Sequence, residues 1–447
     1  MERSKALGEE KISALLWKFS IPAITGMVVN ALYNVVDSIF VGHGVGEIGL
    51  AAVTIAFPIM IVLMGFGMLV GVGASAVVSL RLGEHKQHEA EKILGNALTL
   101  AVLLSLSLTM GILLFLDPIL ISLGAQEAIL PYARDFTKII LIGSIFMYIG
   151  FGLNSIMRAE GNPKMAMATI LISAGLNILL NPLFIFIFHL GISGSALATV
   201  LSQGVSAVWV LIYFFSKNSL LKLRLGNLAL DKEIVKSIFK IGMSPFLMQI
   251  AASVVTVLFN YSLLQYGGEF AVASIGIINR IAMLMLMPIF GLSQGLQPII
   301  GYNYGAKNYG RVKKALKMAI YAATIFSTIG FLLIEIFDQQ IMMLFNDNPE
   351  LIGIGAHGMR IYLCMLPVIG FQVIGANYFQ AVGKAGYAIV LSMSRQLILL
   401  IPLILILPGI LGLNGAWLAS PIADLVSALL TGLFLSKEIG KLGIMQK

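Results

Sequence analysis

The sequence is short of charge. Of 447 residues only 11% are Asp, Glu, Lys or Arg, while 58% are hydrophobic and the mean hydropathy is +0.95; soluble domains carry about a quarter charged residues. A soluble fold is thereby excluded, and no stretch between the apolar runs is long enough for a separate soluble domain. Cysteine is equally scarce: Cys364 stands alone in an apolar segment, which excludes an intramolecular disulfide and leaves a small core residue. No Walker A sequence, HExxH, CxxC or strand-borne GxGxxG occurs. The chain is therefore not expected to be an enzyme, to hydrolyse ATP or to carry a cofactor, and an ion gradient must drive any transport it performs. His85 and His88, beside Glu84 and Glu89, read as a solvated helix start rather than a metal site, and His43, His189 and His357 have no ligand partners at useful spacing.

What fills the sequence is apolar runs of about 20 residues or more, the length that crosses ~30 Å of hydrocarbon as a helix. We read an all-α polytopic membrane protein with twelve spans, near 14–41, 50–80, 93–116, 136–157, 165–188, 194–215, 237–263, 272–301, 315–336, 360–380, 386–407 and 415–435. The opening MERSKALGEEKIS mixes acids and bases and lacks a small-residue cleavage site, so the first span is expected to stay. The net charge is +8, and all of the 29 Lys and Arg except Arg134, Lys138, Arg280, Arg360 and Arg395 fall at the termini or in even-to-odd loops. Both termini are therefore expected to be cytoplasmic, in a bacterial inner or plasma membrane. The basic loops are topology signals surrounded by membrane lipid, not nucleic-acid sites.

The halves repeat at an offset of about 222 residues. "RLGEHKQHEAEKILGNAL" from Arg81 parallels "NYGAKNYGRVKKALKMAI" from Asn303, "RAEGNPK" from Arg158 parallels "QAVGKAG" from Gln380, "LGISGSALA" from Leu190 parallels "LGLNGAWLA" from Leu411, and the segments ending at Pro22 and Pro245 correspond. Six spans per repeat is an even number, so the halves are parallel repeats, an architecture of secondary transporters with substrate sites at the repeat interface. The expected division is an N-lobe at 1–215 (spans 1 to 6), a linker at 216–236 and a C-lobe at 237–447 (spans 7 to 12).

Ionisable groups within spans carry the chemistry, because hydrocarbon tolerates them only with a partner or a cavity. Asp37 is the only acid between Ala14 and Val41. Asn30, Asn34 and Asp37 follow i, i+4, i+7 and share a face with Tyr33 nearby. Asn177 and Asn181 lie one turn apart in span 5, before Pro182, and Thr199 and Gln203 one turn apart in span 6. Two readings stay open for Asp37: four residues from the end of its span it reaches the outer headgroups, or it joins these amides and hydroxyls as a hard-cation or proton site. Asn30, Tyr33, Asn34, Asn154 and Gln203 are the candidate substrate-cavity residues. In the C-terminal half, Arg395 and Asp424 each lie about ten residues into spans entered from opposite faces, and read as a structural ion pair. Arg280 and Glu335 lie toward outer span ends. The methionine-rich "RIAMLMLMPIF" at 280–290 reads as membrane core that would also suit a cavity for varied apolar cations.

Taken together, "IPAITGMVVNALYNVVDSIFVG" at 21–42, "RAEGNPK" at 158–164, "LNILLNPLFIF" at 176–186, "GISGSALATVLSQ" at 191–203 and "GLSQGLQPIIGYNYGAK" at 291–307 resemble the multidrug and toxic compound extrusion (MATE) transporters, over essentially the whole chain and closest to the MepA-like and DinF-like members. The resemblance implies two six-helix lobes forming a V, and export of small organic cations or amphipathic drugs by alternating access in exchange for H⁺ or Na⁺. It implies coupling through Asp37 with Asn177 and Thr199, a helix bend at Pro22, and action as a monomer. At Asn181 the chain departs from the Asp-Pro common in the family, which leaves one carboxylate instead of two; H⁺ on Asp37 is then the favoured coupling ion, with Na⁺ at Asp37 the lesser alternative. The C-lobe acids of the NorM-like branch are also missing, with Gln249, Gln372 and Asn377 in the corresponding spans. The rival expectation is a flippase of lipid-linked oligosaccharides from the same superfamily, which would line its cavity with basic residues.

Overall fold

The computed structural model of the chain describes residues 2–444. Among them every regular element is a helix, as expected where hydrocarbon cannot satisfy a backbone that does not bond to itself. Spans 1 to 6 are Ile12–Gly44, Glu47–Gly83, Gln87–Leu114, Leu130–Ala159, Pro163–Ile187 and Gly191–Phe215. A continuous helical stretch, Lys232–Gly305, follows. Its 74 residues would reach ~110 Å at 1.5 Å per residue, far beyond a bilayer, and it is interrupted at Gly268, whose φ of 67° only glycine adopts readily. It is therefore spans 7 and 8. Span 9 is Tyr309–Met343, span 10 is the pair Pro349–Leu363 and Leu366–Ala381 bent by 45°, span 11 is Ala385–Leu411 and span 12 is Leu413–Ile444. With the long stretch divided at Gly268, the described residues hold twelve spans, the number expected.

The backbone carries the repeat more faithfully than the side chains do. Positive φ recurs at Gly46 and Gly268, at His85 and Lys307, at Gly161 and Gly383, and at Gly191 and Gly412, each pair separated by 221 or 222 positions. Span 3 ends at Phe115 (φ −122°, ψ 24°), and span 9 kinks at the equivalent Phe337 (φ −115°, ψ 22°). After each kink an acid pairs with an arginine farther along the chain: Asp117 with Arg134 at 2.6 Å, and Asp338 with Arg360 at 2.6 Å. The second pair also brings Glu335 to 4.0 Å from Arg360.

Two compact units emerge. One gathers Thr25–Phe246 with the short N-terminal helix, and the other gathers Glu10–Ile24 with the chain from Leu247 onward. They cut the chain elsewhere than the expected 1–215, 216–236 and 237–447, whose outermost residues, Met1 and 445–447, lie outside the described residues. The physical reason is an exchange of helix starts. The beginning of span 7 lies so close to span 2 that a Cβ on Gly242 would be 1.9 Å from Leu69 O, and one on Gly73 2.3 Å from Ile238 O. Likewise the beginning of span 1 lies against span 8, where a Cβ on Gly291 would be 2.8 Å from Ile24 N and one on Gly295 2.8 Å from Ser20 N. Pro22 is buried two residues before the division of span 1, within an unbroken helix. The first unit packs around Leu63, Leu120, Phe136, Leu141 and Tyr148, the second around Phe259, Met359, Leu366 and Trp417.

The connector between span 6 and span 7 is fastened to the first unit. Gln87 donates to Leu220 O (2.8 Å), Asn96 to Asn227 O (3.3 Å) and Ala229 O (3.1 Å), and Thr99 to Leu228 O (2.8 Å). Glu91, buried, accepts from Lys222 N (3.3 Å) and pairs with Arg224 (3.2 Å). Glu160, in the turn between spans 4 and 5, is 1% exposed and accepts from the Tyr213 hydroxyl, from Ser219 Oγ at 2.9 Å and from Leu221 N at 3.0 Å. Burial pushes its carboxyl above the usual glutamate range, and these donors pull it only part of the way back.

Candidate functional site

The amides of span 5, the hydroxyls of span 6 and the acid of span 1 meet within the first unit. The Asn181 amide donates to Asp37 Oδ1, and Ser195 Oγ donates to the same oxygen at 3.1 Å. Asn181 Nδ2 also reaches Asn177 Oδ1 at 3.4 Å, and Asn177 Nδ2 donates to Thr199 Oγ1 at 3.1 Å. Ser195 and Asn181 are wholly buried and Asn177 and Thr199 nearly so. Asp37 is therefore not a lone headgroup contact but the end of a hydrogen-bonded chain across three helices.

Local structure explains the gathering. Asn177 and Asn181 sit one turn apart, as do Ser195 and Thr199, so each helix presents two groups on one side. Pro182 lacks an N–H and crowds the carbonyl four residues back, and the turn after it widens into a π-helix over Leu183–Ile187. Such a bulge inside an α-helix is common at functional sites. Span 6 fits against it because position 194 is glycine: a Cβ there would stand 3.0 Å from Phe184 O.

The other expected cavity residues lie apart from this chain. Asn34 donates to Asn30 O at 2.7 Å and Asn30 Oδ1 at 3.2 Å, so these two exposed amides serve each other rather than Asp37. Gln203 is half-buried and makes no hydrogen bond among the described residues. Asn154 is placed elsewhere: both ends of its amide are occupied, donating to Ala166 O at 2.8 Å and accepting from Arg158 at 2.5 Å, which ties span 4 to span 5. Ser195 was not singled out by the sequence; the signal for it is its position one turn before Thr199. In the second unit, Arg395 Nε donates to Asp424 Oδ1. Among the described residues no three His, Cys, Asp or Glu group as a metal site.

Chemically, the Asp37 site is a carboxylate with two donors on one oxygen. It also holds one unsatisfied acceptor, Asn181 Oδ1, which is buried without a partner. Sites with that composition take up a proton or a small hard cation.

Comparison with known proteins bears on what such a site serves. The MatE family profile matches twice, at residues 22–183 and 245–406, more than half of the chain and once per repeat. The chain belongs to the MatE family. MatE relatives include the multidrug export protein MepA of Staphylococcus haemolyticus, 29% identical over 94% of this chain and 93% of its own, and MepA of Staphylococcus aureus strain MSSA476, 28% identical over 92% and 90%. Among solved structures, the MATE multidrug transporter DinF-BH is 42% identical with a TM-score of 0.90 over 96% of both chains. An outward-facing multidrug resistance MATE transporter of the MOP superfamily is 27% identical with a TM-score of 0.93 over 99% of both. This MatE protein is thus a multi-pass membrane transporter of the multidrug efflux class and not an enzyme.

Proposed function

We propose that this MatE protein exports cationic or amphipathic organic compounds in exchange for protons, and that Asp37 is the group that binds the coupling proton. The observation that carries this reading is the fixing of the Asp37 carboxylate by Asn181 and Ser195, with no second acid in the cluster. In the ionised state its charge attracts an organic cation. Protonation cancels that charge and turns the carboxyl into a donor that needs an acceptor, a role open to Asn181 Oδ1, buried and unsatisfied, once its amide turns over. Loss of charge and reorganisation of one amide then weaken the hold on the cation, and alternating access of the two repeats completes the exchange with both termini in the cytoplasm. Na⁺ would use the same oxygens, but one carboxylate attracts it less strongly than the two usual in the family.

Asp37→Asn in inverted vesicles tests the assignment. Drug-induced proton movement is expected to disappear while the variant still folds and binds dye; proton movement at the wild-type rate would remove Asp37 from the mechanism.

A further inference from the structure

The second unit holds one charge pair inside its spans whose geometry differs from that of a structural staple. Arg134 and Asp117 close a two-pronged pair, Nε to Oδ1 at 2.6 Å and a terminal nitrogen to Oδ2 at 2.7 Å. Arg395 touches Asp424 through Nε alone, while Asp424 Oδ2 is approached by Ser420 Oγ at 3.5 Å. A guanidinium has five N–H donors, so four of those on Arg395 have no protein acceptor among the described residues. Asp424 is 1% exposed, but the Arg395 side chain is 26% exposed.

Depth makes this opening costly unless something fills it. Arg395 lies about ten residues along span 11, ~15 Å from its start at 1.5 Å per residue, half of a ~30 Å hydrocarbon layer. A charge there faces a cavity, a partner or a transported molecule rather than lipid. Leu397, half a turn on, is exposed, and Arg395 lies on another side of the helix from it. The helix is π-helical over Ser394–Leu400, around Arg395 itself. One turn beyond Asp424, Gln372 donates to Ser427 Oγ at 2.7 Å and buries its Oε1 without a partner, an acceptor for an N–H or O–H.

We propose that Arg395 is an anion-recognition residue of the second unit, presenting its terminal nitrogens to the carboxylate of a zwitterionic or acidic amphipathic substrate, with Asp424 as the positioning residue that holds the guanidinium by Nε. A planar fork of donors matches a carboxylate or sulfonate and gives an uncharged or purely cationic molecule nothing to pair with. The inference rests on the reading of this chain as an exporter of amphipathic compounds, and names the residue that would recognise an anionic group on one of them.

The test uses the full-length protein in proteoliposomes with two matched dyes, a xanthene carrying a free carboxylate and its ethyl ester, which is a pure cation. Wild type is expected to bind and export both, with an aryl sulfonate displacing the carboxylate dye and not the ester. The charge-neutral double variant Arg395→Gln/Asp424→Asn is expected to raise Kd and KM for the carboxylate dye by about tenfold, the scale of one charge-assisted hydrogen bond, with kcat and the ester unaffected. Arg395→Lys, which keeps the charge without the fork, should fall between. Equal effects on the two dyes, or wild type that exports the ester and does not bind the carboxylate, overturns the proposal. Should the double variant fail to fold, Arg395→Lys decides it: a loss for the carboxylate dye and not the ester supports the proposal, and an equal effect on both overturns it. Failure to export the ester would instead count against the exporter reading itself.

Discussion

The two units share a backbone plan and differ in where they put charge. Span 5 and its repeat equivalent, span 11, each contain a π-helix, Leu183–Ile187 and Ser394–Leu400, although not at equivalent positions of the repeat. In the first unit the neighbouring acid is Asp37 on span 1, held by an amide and a hydroxyl. In the second, the position equivalent to Asp37 is Phe259, which packs against Tyr362 and Trp417, and the acid has moved to Asp424 on span 12, opposite an arginine. Duplication thus conserved the turns and helix breaks, which cannot change without refolding the lobe, while side-chain chemistry drifted. An acid supported by neutral donors can take and release a proton. An acid clamped to a guanidinium serves instead, on the reading proposed above, to aim the arginine.

That contrast can be broken in order of expected effect. Asp37→Asn should abolish gradient-driven export, read as dye efflux, whereas Asp424→Asn combined with Arg395→Gln should leave export of the ester dye intact. Asp424→Ala alone strands a charge within the membrane and should cost about 3–5 kcal/mol in thermal unfolding; Arg395→Met with Asp424→Leu should recover nearly all of it. The same truncation at the half-exposed Asp117 should cost no more than about 1 kcal/mol, and an equal loss at both sites would deny the distinction between them. Gly242→Ala drives a methyl into the Leu69 carbonyl and should destabilise by about 1–3 kcal/mol, as should Gly291→Ala in the mirrored contact; a shift in Tm from only one of them would show that the exchanged helix starts are not equivalent. Ser195→Ala should slow coupled export by a few fold, about 1 kcal/mol for one hydrogen bond, and add nothing in an Asp37→Asn background. An additive loss would place Ser195 outside the Asp37 unit.

How much of this the sequence discloses depends on distance along the chain. The span count, the repeat and the amide pairs are legible because hydrophobic runs, glycine turns and one-turn spacing are local. Asp37, Asn177, Asn181 and Thr199 are brought together as their spacing suggests. Asn30 and Asn34 bond to each other and not to Asp37, because a shared face says nothing of depth: Asn30 is seven residues, ~10 Å of helix rise, from Asp37. That Asn154 ties span 4 to span 5 is not legible either, because polarity alone cannot distinguish a cavity group from a tie between helices. Ser195 is overlooked as one small residue among several in "GISGSALA". The fastening of the connector is invisible in sequence, since Glu91 and Glu160 find partners 131 and about 60 residues away. The open edge of Arg395 is invisible too, because an ion pair's geometry is not written in the identity of its members.

The account turns on Asp37 being the sole acid of its site among the described residues. The most direct measurement is dye efflux from proteoliposomes with a pH gradient or a Na⁺ gradient imposed separately, for wild type and Asp37→Asn. The predicted result is wild-type efflux driven by the pH gradient alone and none in the variant. Efflux that follows only the Na⁺ gradient, or a variant that still responds to pH as wild type does, would contradict it.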